Sequence, residues 1–203
     1  MRAVMPRVSA AADRGADREQ SLSDHEVSRE IVEACRQGNR DALRVLYETY
    51  KDKVYSIALY YFHGDEATAS DITQQVFLKA MSAFTQFRGD AAVSTWLYRL
   101  TANACRDRSR SAVRREVASD PADLARVAVA NSQDDILLRA EESSRVRSAI
   151  ASLPGKLRLP VLLRYFEDMS YGELAHALGC SPGTVASRLN RGHQLLREKL
   201  SKR

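Results

Sequence analysis

Thr184, Ser187, Arg188, Asn190 and Arg191 recur at spacings of three and four near the end of the chain. On a helix, that spacing gathers side chains onto one face. These residue types donate hydrogen bonds to phosphate oxygens and to base edges. Ser181-Pro182 stands just ahead of them, the order of an N-cap followed by a first-turn proline. The chemistry available to this face is recognition of a polyanion. A second polar set, Arg88, Arg99, Asn103, Arg106, Arg108 and Arg110, follows or flanks the aromatic residues Phe84, Phe87 and Trp96. A third is acidic and amide-bearing: Asp65, Glu66, Asp71, Gln74 and Gln75. Bond-making chemistry has no comparable signal. There is no glycine-rich phosphate loop, no HExxH, no nucleophile elbow and no cysteine with an obvious catalytic partner. His176 and Cys180 stand four apart, but a tetrahedral metal site needs more ligands than one pair. We therefore expect no catalytic residue, no metal and no cofactor.

The elements that must hold these side chains are helices. In 203 residues, Gly 9 and Pro 5 make chain breakers scarce, and no alternating strand pattern appears. Residues 1–22 have no periodicity and read as a disordered tail. Ser23 with Glu26 matches a capping box, opening a helix through Val27, Ile31 and Ala34 that Gly38 stops. Asn39 caps a second, long helix with the stripe Leu43, Leu46, Tyr47, Tyr50, Val54, Ile57, Ala58 and Tyr61. His63-Gly64 ends it. Asp65 starts a third helix, buried along Ala69, Ile72, Val76, Phe77, Ala80 and Phe84, which leaves the acidic and amide set in water.

Residues 85–93 read as a loop. Ser94 or Thr95 caps a fourth helix, with Leu97, Leu100, Thr101 and Ala104 inward and its arginines mostly outward. The stretch 116–133 is small, polar and proline-containing, as in a linker. Asp134 and Asp135 restart a helix with the weaker stripe Ile136, Ala140, Val146, Ile150 and Leu153, broken by Pro154-Gly155. An apolar segment follows, in which Pro160 implies a late helix start or a kink. Ser170 and Glu173 form another capping-box pattern before Leu174, Ala175 and Leu178. Gly179 supplies the positive φ of a tight turn. Val185, Leu189, Leu196 and Leu200 are the expected buried stripe of the last helix. The fold class is all-α: two helical domains, residues 23–113 and 134–203, joined by a flexible linker over 114–133.

Charge and hydropathy narrow the function further. Lys and Arg, 31 together, exceed Asp and Glu, 26, for a net charge of +5, which fits a polyanion partner without demanding one. No window approaches the roughly 18 apolar residues of a membrane span, and the N-terminus has no apolar core of a secretory signal. Membrane insertion is not expected. Three widely spaced cysteines read as free thiols in a reducing, cytoplasmic setting.

A short capped helix, a glycine turn and a second helix with a basic outer face make a helix-turn-helix over 171–190. Its candidate DNA-binding residues are Ser181, Thr184, Ser187, Arg188 and Arg191. A solvated helical hairpin explains each part separately, but not their coincidence. With these residues in view, the chain from Leu153 to Leu200 resembles region four of the sigma-70-like factors of bacterial RNA polymerase. Asp71 to Asp107 resembles region two, and the absence of anything between them resembles the extracytoplasmic-function (ECF) group.

The resemblance implies the rest. Region two, residues 23–113, is expected to dock on the β′ coiled coil of bacterial core RNA polymerase through Asp65, Glu66, Asp71, Gln74 and Gln75. The same region is expected to open the minus-ten element with Arg88, Trp96, Arg99, Asn103 and Arg106. Region four, residues 134–203, is expected to read the minus-thirty-five element of promoter DNA and to dock on the β flap. An anti-sigma factor is the implied regulator. Gln75 stands where the family often has Glu, and Ala186 where a basic residue is common. Two alternatives remain at this stage. A stand-alone helix-turn-helix regulator has no reason to carry the Asp71–Asp107 block, and a helical enzyme lacks any motif.

Overall fold

In the computed structural model of the chain, residues 27–118 and 145–201 are described, the side chains of 113–118 excepted. Every regular element among them is helical. The first, α1 (Arg29–Arg36), is capped by Ser28, whose hydroxyl accepts from the Ile31 amide. Val27 lies outside the helix, so it begins later than the expected start. The Ser23–Glu26 box, the tail and most of the linker lie outside the described residues, as do Asp134, Asp135, Ile136 and Ala140.

The long α2 (Arg40–Tyr61) is capped by Asn39, which accepts from the amides of Asp41 and Ala42. Its buried stripe runs Ala42, Leu46, Tyr50, Val54, Ile57, Ala58 and Tyr61. Leu43 is only half-buried and Tyr47 is exposed, so two expected core positions fall at the edge. Tyr47 instead meets Phe77 edge-on, with ring centroids 4.9 Å apart. His63 and Gly64, at φ 63° and 88°, turn the chain into α3 (Glu66–Ala83). Asp65 caps α3, and its stripe is buried as the periodicity predicts. A 3-10 turn, Phe84–Gln86, prolongs it, with Phe84 fully buried.

The next helix, α4, spans Val93–Ala118. It starts a residue or two ahead of the expected caps, so Ser94 and Thr95 lie inside the first turn. It also continues through Glu116 to Ala118, taking in residues expected to be linker. Leu97, Tyr98, Thr101, Ala102 and Cys105 are buried along its inner face, and the Thr101 hydroxyl is satisfied by the Leu97 carbonyl at 2.9 Å.

The next described helix, α5, covers residues 145–151. The apolar α6 (Gly155–Phe166) contains Pro160 and begins more than a turn ahead of it. The proline therefore does not delay the helix. Then come α7 (Tyr171–Leu178) and α8 (Pro182–Ser201). Val185 and Leu189 are buried, but Leu196 is half-buried and Leu200 is exposed. The packed side of α8 passes instead through Gly192, where an added Cβ would come within 3.0 Å of Val161 Cγ2. A single continuous apolar cluster joins α1–α4 to α6–α8. Each fully buried Leu or Ile in it contributes about 1.5–3 kcal/mol.

Candidate nucleic-acid interface

The α7–α8 pair is built by three local devices. Ser170 and Glu173 close a reciprocal capping box: the Glu173 amide donates to Ser170 Oγ at 3.3 Å, and the Ser170 amide to Glu173 Oε2 at 2.7 Å. Gly179 takes the left-handed conformation at φ 64°. An L side chain is strained there, and the turn lets the Cys180 amide reach back to the Ala175 carbonyl. Ser181 Oγ then accepts from the Thr184 amide at 3.2 Å and pairs with the Thr184 hydroxyl at 2.9 Å. Ser181 and Thr184 are thus part of the cap that aims α8.

Beyond that cap, Ser187, Asn190 and Arg191 are exposed on the outer face of α8. Ser187, Asn190, Ala186, His193 and Tyr171 line a shallow groove. Tyr171, 46% exposed, and His193 were missed by sequence reasoning. The spacing of His193 from Ala186 and Asn190 carried a signal for it, while Tyr171 comes from the preceding helix and had none. Arg191 donates to Gln194 at 2.7 Å along the surface. Arg188 behaves differently: half-buried, it turns back to Cys180 Sγ at 3.6 Å.

The α4 set is split by its surroundings. Arg88, in the loop ahead of α4, and Arg99 are exposed. Trp96 is half-buried in an aromatic trio, 5.3 Å from Phe84 and 5.2 Å from Phe87 between centroids. The Arg36 guanidinium covers the Phe87 ring at 5.6 Å. It adds a cation to this corner that the sequence, with α1 read as a plain amphipathic helix, did not flag. Asn103 accepts from Arg106 at 3.3 Å. Arg106 also donates to the Leu178 carbonyl, at the C-terminal end of α7, at 3.2 Å. Burial, and the Arg188 cation beside it, hold the Arg106 guanidinium below its ordinary pKa. These residues are therefore not one patch: Arg106 sits between the two units and faces Arg188.

On α3, Asp71, Gln74 and Gln75 are exposed and form an open groove with Leu78, Lys79 and Ser82. Leu78, 62% exposed, is the apolar member that stripe reasoning passed over, although a leucine off the buried stripe was its visible signal. Glu66 is exposed nearby. Asp65 is committed to capping. It accepts from the Thr68 amide at 3.0 Å and the Thr68 hydroxyl at 2.7 Å, and these bonds hold its carboxyl below the usual range. Among the described residues, no group of three or more His, Cys, Asp or Glu side chains is arranged to hold a metal.

Two family models match the chain: sigma-70 region 2 over residues 46–115 and sigma-70 region 4 over 143–196. The RNA polymerase sigma-H factor of Pseudomonas aeruginosa is 32% identical over 183 residues, 86% of this chain and 94% of that protein. The ECF RNA polymerase sigma-E factor of Escherichia coli is 29% identical over 187 residues, 88% and 97% of the two. Among solved structures, CnrH in complex with the cytosolic domain of CnrY is similar with a TM-score of 0.61 at 26% identity, covering 85% of this chain and 96% of that one. The sigma factor RpoE of Bartonella quintana, solved with the anti-sigma factor NepR, shares the fold with a TM-score of 0.65 at 22% identity, covering 79% and 98%.

Proposed function

The chain belongs to the sigma-70 family, as an ECF sigma factor that directs RNA polymerase to promoters, and on that premise we propose how its residues divide the work. The α8 face reads the minus-thirty-five element in the major groove. Ser187, Arg188 and Arg191 supply donors to base edges and phosphates, with Ser181 and Thr184 at the helix start, where amides point at a phosphate. Arg88, Trp96, Arg99, Asn103 and Arg106 serve the minus-ten element, the cations tracking the displaced strand. The α3 groove docks core polymerase. Asp71, Gln74 and Gln75 offer acceptors to a basic coiled coil, Asp65 and Glu66 extend the field, and Leu78 adds an apolar anchor.

The division runs between a region-two unit over 23–113 and a region-four unit over 134–203. The molecule performs no reaction of its own and works in the cytoplasm beside its polymerase. An anti-sigma factor competing for these surfaces is the regulator, a reading supported by the relative RpoE, which was solved in complex with the anti-sigma factor NepR. The observation that carries the reading is the α7–α8 pair, α7 closed by its capping box and α8 capped by Ser181, with Ser187, Asn190 and Arg191 presented outward from α8.

The test is co-elution of the purified chain with bacterial core RNA polymerase on size exclusion. A stoichiometric complex is expected. A folded chain, free of inhibitor, that runs apart from the polymerase overturns the assignment. In the same experiment, Asp71→Lys should reduce complex formation without loss of helix content. Normal assembly by that variant removes Asp71 from the docking face.

A further inference from the structure

Tyr165 of α6 and His193 of α8 meet at the edge of the α8 face. The Tyr165 hydroxyl lies 3.1 Å from His193 Nε2, and the rings stand edge to face with centroids 5.7 Å apart. Tyr165 is 56% exposed and His193 half-buried, so the pair belongs to the surface. His193 follows Asn190 by three residues and Ala186 by seven, and it shares the shallow groove with Ser187, Asn190 and Tyr171. The N-terminal residues of a recognition helix meet base edges. His193 stands about 9 Å beyond Ser187 along the helix axis, at roughly 1.5 Å per residue, where the helix leaves the groove and the strand backbone passes.

The charges around His193 suit an anion. Arg197, one turn further on, is exposed. Burial and the Arg197 cation hold the His193 imidazole below its ordinary pKa. From α6 the facing titratable group is Tyr165; Arg164 is turned to the carbonyls of Asp168 and Met169. From α7 it is Tyr171, across the groove; the Glu173 carboxylate is taken by the Ser170 amide. In a protonated ring Nε2 can only donate, so the Tyr165 hydroxyl accepts and its own proton is free for another acceptor. The charged pair thus offers Nδ1–H and the tyrosine O–H side by side, next to a guanidinium.

We propose that Tyr165 and His193 form a phosphate-binding site at the rim of the α8 face, filled by the DNA backbone as His193 takes up a proton. This deepens the promoter reading above and rests on it. A phosphate between His193 and Arg197 removes their repulsion and stabilises the charged ring. Binding and protonation are therefore linked, and affinity rises as pH falls toward about 6. Contacts of this kind fix the register of the helix on the duplex and leave base choice to its neighbours.

The test titrates a duplex, enriched by the parent from a randomised pool, with the full-length chain alone and joined to core polymerase. Fluorescence anisotropy follows binding over a salt series at about pH 6 and about pH 8, on either side of the imidazole titration. At the lower pH the logarithm of affinity should fall more steeply with the logarithm of salt in the parent than in His193→Gln, by about 0.9, one phosphate's worth. At the higher pH the two slopes should coincide. His193→Lys should keep the steep slope at both, and Tyr165→Phe should bind less tightly than the parent at the lower pH, each with helix content unchanged. Equal slopes for the parent and His193→Gln at the lower pH overturn the site, as does a difference that persists unchanged at the higher pH. If the slopes divide as expected for the chain alone but core polymerase never joins it, the phosphate site stands and the promoter reading falls.

Discussion

Arg188 and Arg191 are three residues apart on α8 but meet different surroundings. Arg191 lies along the surface with Gln194, whereas Arg188 is half-buried against Cys180. Replacing either with Ala should weaken promoter binding, by about 1–3 kcal/mol where the lost contact is bidentate to a base. Filter binding of holoenzyme to promoter duplex measures this, and unchanged affinity in both variants misplaces the recognition face. The thiols give a second prediction at this scale. Burial pushes Cys105 up to about 12 and raises Cys35, so neither forms thiolate readily near neutral pH. Cys180 alone is partly open. An aromatic disulfide reagent should titrate one thiol quickly in the native chain and all three in denaturant. Rapid reaction of all three in the native state contradicts this packing.

At the scale of elements, short-range signals were legible wherever capping chemistry is local. Asn39, Asp65, Ser170 with Glu173, Gly179 and Ser181 all act as their types and spacings predict. The misses have a common cause. The helix through Ile31 and Ala34 starts only after Val27, with Ser28 as its cap, and α4 begins at Val93, inside the expected loop. Several residues near each boundary were chemically able to cap, so packing chose among them. Tyr47 and Leu200 were assigned to the core by periodicity, yet both stay exposed, Tyr47 beside Phe77 at the rim of the core and Leu200 in the last turn of α8.

Asp65 carries the prediction for this scale. Thr68 holds its carboxyl below the ordinary range. The ionised cap therefore contributes stability that is present above the unfolded carboxylate pKa of about 3.9 and is lost as pH falls through its lower folded value. Asp65→Ala should cost about 1 kcal/mol at neutral pH. Melting curves from pH 6 downward should show the difference from the parent shrinking in acid. A difference that does not change with pH denies the charge any part in the cap.

Across the whole molecule, Arg158 is a buried polar link between the two units. It is 8% exposed, and its guanidinium serves the carbonyls of Tyr61, Ala151 and Leu153 together. Arg158→Met keeps much of the volume but orphans these acceptors, at about 1–3 kcal/mol for each that stays buried. Because the bond to Tyr61 crosses between units, calorimetry should show the single transition of the parent moving down and broadening or splitting. An unshifted transition means the Arg158 network contributes nothing to the joint. The Tyr60–Phe166 contact adds about 0.5–1.5 kcal/mol beyond its buried area, a term of the same order as the polar ones.

By itself the sequence determined the helical class, the caps and the turn of the helix-turn-helix, and the chemical character of three polar faces. Each depends on residues within a few positions of one another, where periodicity and hydrogen-bonding type suffice. Only the tertiary structure decided which members of a face remain free. Asp65 is tied to Thr68, Arg106 to Leu178, and Arg188 to Cys180, while Leu78 is left in water. The joint between the units was invisible for the same reason. Glu167, Tyr98 and Lys53 lie far apart in the chain, and no short-range pattern encodes a contact that forms only after two separate helical units have packed.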